Sequence, residues 1–287
     1  MNARRPSFLD RSSAPSGLII VALALVGLIF SASGGIAQTL NFASGDSDAP
    51  IQVDADEGIE WEQERQIFTA RGNAVAERGN VKVRADVLQA YYRKKPAGGT
   101  DIWRLDADGN VRINSDSEKA FGEKGIYDVD NAILVLSGSK VGLITADDKI
   151  TATRQLEWWE KKGMAVARGN ALAVRGERRL SADVLVAHFQ KNKSGKNRIW
   201  RVEAFDNVHI VTDTDTVTAA RAVYNADSSI ATLTGSVKIT RGENQLNGCS
   251  AEVNMETGIS KLHGCGQAGS SGQRVRGLLS PGAVKRK

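Results

Sequence analysis

Two cysteines, Cys249 and Cys265, and three histidines, His188, His209 and His263, are the residues whose types could do redox, metal or acid–base chemistry. Their spacing supports little of it. No two histidines stand four apart, and no nucleophile motif surrounds them. His263 is the one histidine near the cysteines, too few ligands for a structural metal site. The cysteines either bridge, closing a short loop near the C-terminus, or remain apart, and the sequence leaves both open. Gly264-Cys265-Gly266-Gln267-Ala268-Gly269 fits G-x-G-x-x-G, which means something only between a strand and a helix; here it precedes a glycine-rich tail and reads as coincidence. Acidic residues are many but alternate along apolar runs, as a solvated face does. Asp86 and Asp183 are read as turn or edge hydrogen bonds. Acid, base and nucleophile nowhere converge, so no enzyme, cofactor or metal is expected.

What positions these residues is a repeat. Arg71-Gly72-Asn73-Ala74 returns as Arg168-Gly169-Asn170-Ala171, and Ile102-Trp103-Arg104 as Ile199-Trp200-Arg201. Between 51–139 and 148–236, 32 of 89 positions are identical without a gap, at a constant offset of 97. Chance would leave a handful, so the chain contains a duplication, with repeats at 51–141 and 148–238. A partial third copy follows over 235–262, where Gly235-Ser236-Val237-Lys238-Ile239-Thr240-Arg241-Gly242 echoes residues 72–79. Residues that change between copies are poor candidates for catalysis: His188 stands where the first copy has Tyr91, and His209 where it has Arg112.

Within each copy the apolar residues recur with period two. Val81, Val83, Ala85 and Val87 alternate with Lys82, Arg84 and Asp86, and Trp103, Leu105 and Ala107 with Arg104, Asp106 and Asp108. That is the pattern of half-buried strands, and Arg-Gly-Asn and Asp-Gly-Asn breaks supply turns between them. The expectation is an all-β fold of short antiparallel strands over 51–265, each with one apolar and one charged face. Such faces need a cover: another sheet, closure, or a ligand. Aromatic residues make up only 6% of the chain, few for tight packing of two large sheets, which points to a trough or slot. In the first copy the inward set is Ile59, Trp61, Val83, Val87, Trp103, Leu105, Val111, Ile113 and Leu136. In the second it is Leu156, Trp158, Val184, Trp200, Val202, Ile210 and Leu233. The four paired tryptophans either plug the ends of the core or line an apolar channel.

The ends differ from the middle. Arg4, Arg5 and Arg11 precede an apolar run over 18–30, and Gly35-Ile36-Ala37 places small residues before Gln38, so 1–37 reads as a signal peptide cleaved near Ala37. The run is shorter than the ~20 residues of a membrane span; an uncleaved anchor is the alternative. Residues 38–50 read as a flexible lead-in, and 266–287, with five basic residues and no acid, as a disordered tail. The net charge of +5 comes from these ends, so the basic balance is no nucleic-acid footprint.

The export signal, the β repeats, and the stretch Gly235-Ser236-Val237-Lys238-Ile239-Thr240-Arg241-Gly242-Glu243-Asn244-Gln245-Leu246-Asn247-Gly248 together resemble the OstA-like family of periplasmic lipopolysaccharide-transport proteins. The runs from Tyr127 to Gly138 and from Tyr224 to Gly235 belong to the same likeness, and Ser236 departs from the asparagine usual there. The resemblance implies a twisted, slightly open antiparallel jelly roll whose apolar groove carries the acyl chains of lipid A from the inner to the outer membrane. It implies partners at both membranes, met by edge-strand pairing, and head-to-tail self-association. The rival readings are an exported carbohydrate-active β-protein, which wants clustered carboxylates, and a structural or adhesive surface protein, which wants strands polar on both faces.

Overall fold

Alternating apolar residues make the long strands, and pairs of residues with positive φ bend them. The kinks are Gly72-Asn73, Gly109-Asn110, Gly169-Asn170, Asp206-Asn207 and Gly235-Ser236, each in the left-handed region where glycine, asparagine and aspartate are tolerated. A computed structural model describes residues 51–95, 98–266 and 274–280. The signal peptide and lead-in predicted for 1–50 lie outside the described residues.

The described chain is strand almost throughout. The first copy runs β1 (Gln52–Asp54), β2 (Gly58–Glu62), β3 (Ile67–Arg78), β4 (Val81–Lys94), β5 (Thr100–Asn114), β6 (Lys119–Asp128), β7 (Ile133–Ser137) and β8 (Val141–Ile144). The second runs β9 (Lys149–Ala152), β10 (Gln155–Trp159), β11 (Met164–Arg175), β12 (Arg178–Lys191), β13 (Asn197–Val211), β14 (Thr216–Asn225) and β15 (Ile230–Arg241). After it come β16 (Asn244–Asn254), β17 (Ser260–His263) and β18 (Arg276–Leu278). Every boundary of β3 to β6 recurs 97 residues later in β11 to β14.

All pairing is antiparallel, and each kink divides a strand between two ladders. In β3, residues 67–71 pair with β2, whereas 75–77 pair with β1. The same division carries through β4, β5 and β6. It then passes to β7 in one ladder and β8 in the other. The copies join where β10 pairs with β7 and β9 with β8. β11 to β16 repeat the scheme, and β17 and β18 each cover one half of β16. Side chains of the two ladders meet between them: Leu134 and Leu136 from one share a cluster with Val111 and Ile113 from the other. The result is the expected all-β antiparallel jelly roll.

Two details differ from expectation. Arg276–Leu278, inside the stretch read as a disordered tail, forms β18, because the 245–247 half of β16 offers an edge of unpaired backbone. Cys249 and Cys265, left open by the sequence, are bonded to each other, their Cα atoms 5.2 Å apart.

Candidate functional site

The β-bulges decide which residues face inward, since one extra residue reverses the alternation beyond it. In β4 a bulge between Arg84 and Val87 puts Val83 on the inner face and then Leu88, not Val87. The bulged Asp86 accepts two hydrogen bonds from Asn110 Nδ2, at 2.9 and 3.1 Å, which ties the bulge to the kink of β5. Asp183 accepts from Asn207 in the same way at 3.0 Å. A second bulge, between Tyr91 and Tyr92, turns Ile102 inward in place of Trp103, which contacts Tyr91 instead.

The inner faces of the first copy enclose an apolar cavity of about 300 Å³. On one ladder it is lined by Trp61, Phe68, Ala70, Leu88, Ala90, Tyr92, Ile102, Leu105, Tyr127 and Leu134; on the other by Ile51, Val53, Ala76, Val83, Val111 and Ile113. Gln89, Thr100 and Asp106 are its more polar members. Asp106 is paired with Arg104 at 2.6 Å. At the β2 end, Trp61 is 61% exposed and its indole N–H donates to the Tyr92 hydroxyl at 2.5 Å.

In the second copy the corresponding residues pack into one buried cluster. Leu180 replaces Val83 and Ala222 replaces Gly125, and Leu180, Val208, Ile210 and Leu233 are fully buried. This core is covered at its far end by Ala251 and Val253 of β16 and by Leu262 of β17. At the near end of the first copy, among the described residues, only the short β1 and β2 stand beyond β3.

Of the inward set expected from sequence, the structure gathers Trp61, Val83, Leu105, Val111 and Ile113 around the cavity. Leu136 lies deeper in the first cluster, and Val202, Ile210 and Leu233 are packed in the second with Leu156 against them. Ile59 is half-exposed on the edge strand β2. Val87 and Val184 follow bulges that take them out of the inward alternation. Trp103 and Trp200 meet Tyr91 and His188 with their rings tilted, beside the other pair of bulges. Trp158 stands between the copies, packed against the first cluster and edge-on to Phe189. Sequence reasoning passed over Phe68, Leu88, Tyr92, Ile102 and Tyr127. Adjacent apolar pairs such as Val87-Leu88 were the visible sign that alternation breaks there.

Buried acids sit in structural pairs. Burial opposes the charge of Glu157, but bonds from Arg168, Gln155 and Trp159 hold its carboxyl below the usual range. Glu203 is likewise lowered against its burial by Arg201, Arg221 and His188. Asp215 takes two bonds from Arg241, and Asp148 two from Arg175. Glu118 differs: burial alone pushes its carboxyl up to about 7. Among the described residues no group of three or more His, Cys, Asp or Glu side chains could hold a metal ion.

A family described as "LptA/(LptD N-terminal domain) LPS transport protein" matches the chain twice, over residues 52–154 and 149–259, the two matches starting one repeat apart. The chain belongs to this lipopolysaccharide-transport family. An uncharacterized protein of Rhizobium meliloti, R00383, is 31% identical over 148 residues, covering 48% of this chain and 76% of its own length. The crystal structure of LptH, described as the LptA-homologous periplasmic component of the lipopolysaccharide transport device of Pseudomonas aeruginosa, aligns with 47% of the chain and 95% of LptH, at 16% identity and a TM-score of 0.39. For a member of the LptA/LptD N-terminal family, the double match coincides with the two strand sets described above, and the apolar cavity lies in the first of them.

Proposed function

We propose that this chain is a non-enzymatic periplasmic carrier that shelters the acyl chains of lipid A between its two ladders while lipopolysaccharide crosses from the inner to the outer membrane. The observation that carries the reading is the cavity of the first copy: about 300 Å³ of apolar space, lined at the edge strand β2 by the exposed Trp61, in a chain of the lipopolysaccharide-transport family. A cavity of about half that volume is enough to take up benzene. Each methylene removed from water contributes about 0.8 kcal/mol, and a wall of similar aliphatic contacts holds a chain without fixing its position. The sugars and phosphates would stay in water outside. Direction must come from an energy source elsewhere.

The same reading assigns the open edges to assembly. β1 and β2 end the two ladders at one pole, and β17 and β18 end them at the other. Among the described residues, 51–64 carry six acids and no base, whereas 260–266 and 274–280 carry three lysines and arginines and no acid. Poles of opposite charge with unpaired backbone suit head-to-tail pairing with a second copy or with membrane-bound partners of like fold.

The test is lipid binding by the purified exported protein. Wild type should bind lipopolysaccharide and release it to a competing fatty acid. Leu105→Asp, which puts a charge on the cavity wall, should weaken binding by about tenfold or more, a cost of about 1.4 kcal/mol. Unchanged affinity in a folded Leu105→Asp protein would refute the cavity as the acyl site.

A further inference from the structure

The cavity stops at an identifiable place. Its last lining residue along the β2-to-β7 ladder is Leu134 on β7, and the residue opposite Leu134 on the next strand is Trp158 of β10. The indole packs against the first cluster on one side and meets Phe189 of the second copy edge-on, ring centroids 5.3 Å apart. Beyond it lies the buried cluster of the second copy. Trp61, 97 positions earlier, occupies the same place in its own copy, beside Tyr92 at 6.4 Å, but stands on the edge strand β2. Of these two equivalent tryptophans, Trp61 lines the cavity and is exposed, whereas Trp158 stands one strand beyond its last lining residue on that ladder.

Packing alone does not require a tryptophan at 158. Its indole N–H is buried with no hydrogen-bond partner, whereas that of Trp61 is paired with Tyr92. A buried unpaired donor is destabilising, so a phenylalanine or leucine would fill an apolar core more cheaply. What the indole supplies is bulk behind Leu134, at the junction of the copies.

We propose that Trp158 is the stop of the acyl cavity and sets the length of chain it takes. The proposal rests on the acyl-chain reading above and deepens it: the bound ligand is a saturated chain whose methyl end meets the Trp158 ring. Chains short enough to fit gain affinity with each methylene, about fourfold per group. Longer ones must leave methylenes in water and gain nothing.

The experiment uses the full exported protein and saturated fatty acids of stepped length, competing against a fluorescent fatty-acid probe. Wild type should show affinity that rises with length and then levels at a cut-off. Trp158→Ala should move the cut-off to longer chains, each additional methylene again gaining about fourfold. Trp158→Phe, which keeps a ring and removes the N–H, should leave the cut-off close to wild type. If alanine prevents folding, Trp158→Leu carries the same reading, with a smaller displacement. A folded alanine or leucine variant with the wild-type cut-off would overturn the stop, as would a phenylalanine variant displaced as far as alanine. Binding by wild type with no cut-off at any length would overturn the stop and leave the cavity reading intact. Failure of wild type to bind any chain would overturn the cavity reading, and the stop with it.

Discussion

Glu118 is the buried acid whose environment offers least. It closes the Ser115–Glu118 turn through its backbone N–H, which donates to the Ser115 hydroxyl at 3.2 Å, while the residue is 96% removed from solvent with burial as the one cause of its carboxyl's shift. The acids of the two similar turns, Asp148 and Asp215, face arginines instead. A raised folded-state pKa means that the native chain holds its proton longer than the unfolded chain. Stability is then full below about 4.5 and falls as pH rises through about 7. Glu118→Gln should remove this fall. In thermal melts across that range, wild type should lose on the order of 2 to 3 kcal/mol and the variant much less. Parallel curves for the two proteins would show that Glu118 is ionised and satisfied in the fold. Identical residues at identical repeat positions have different surroundings: among the described residues Trp158 has a strand set on both sides, whereas Trp61 stands on the edge strand β2.

At the scale of the element, strands and their order were legible in the sequence because burial of one face leaves period two, and the offset of 97 carries every boundary from β3–β6 to β11–β14. Which residues point inward was legible only between bulges. Val87 and Trp103 continue the written alternation of Val83 and Leu105, yet Val87 lies beyond a register shift that reverses the face and Trp103 is itself the extra residue at another. An insertion of one shows in the sequence only as an adjacent apolar pair, Val87-Leu88 or Ile102-Trp103, which does not say which member faces inward. The kinks are held more firmly than their polar surface suggests. Gly109 has φ +76, and a Cβ there would stand 2.1 Å from the Asp86 carboxylate that receives Asn110. Gly109→Ala should therefore cost about 2 to 4 kcal/mol, from left-handed strain together with the displaced acceptor. Gly79→Ala, at φ +58 with nothing within 4 Å, should cost only about 1 kcal/mol. Chemical denaturation of the two variants compares them directly, and equal losses would mean that Asp86 does not brace the kink.

The whole molecule uses one strand set twice to different ends. The second copy is a packed core, continued by β16 and β17 and closed there by the Cys249–Cys265 bond, and the first is hollow. From sequence alone both copies looked equally suited to form the groove, since the inward residues are nearly the same. What separates them among the described residues is position: the second copy has strand sets on both sides, and the first has β1 and β2 alone beyond β3. The repeat also supplies its own controls, because each lining residue has a partner 97 positions on in the closed half. The decisive measurement places a photoreactive amino acid at Leu105, Val111 or Ile113 and, separately, at Val202, Val208 or Ile210, in cells making lipopolysaccharide. A carrier that shelters acyl chains in the first copy predicts lipopolysaccharide adducts at the first three positions and little at the second three. Equal labelling of both sets, or none at the cavity positions in a folded protein, would contradict it.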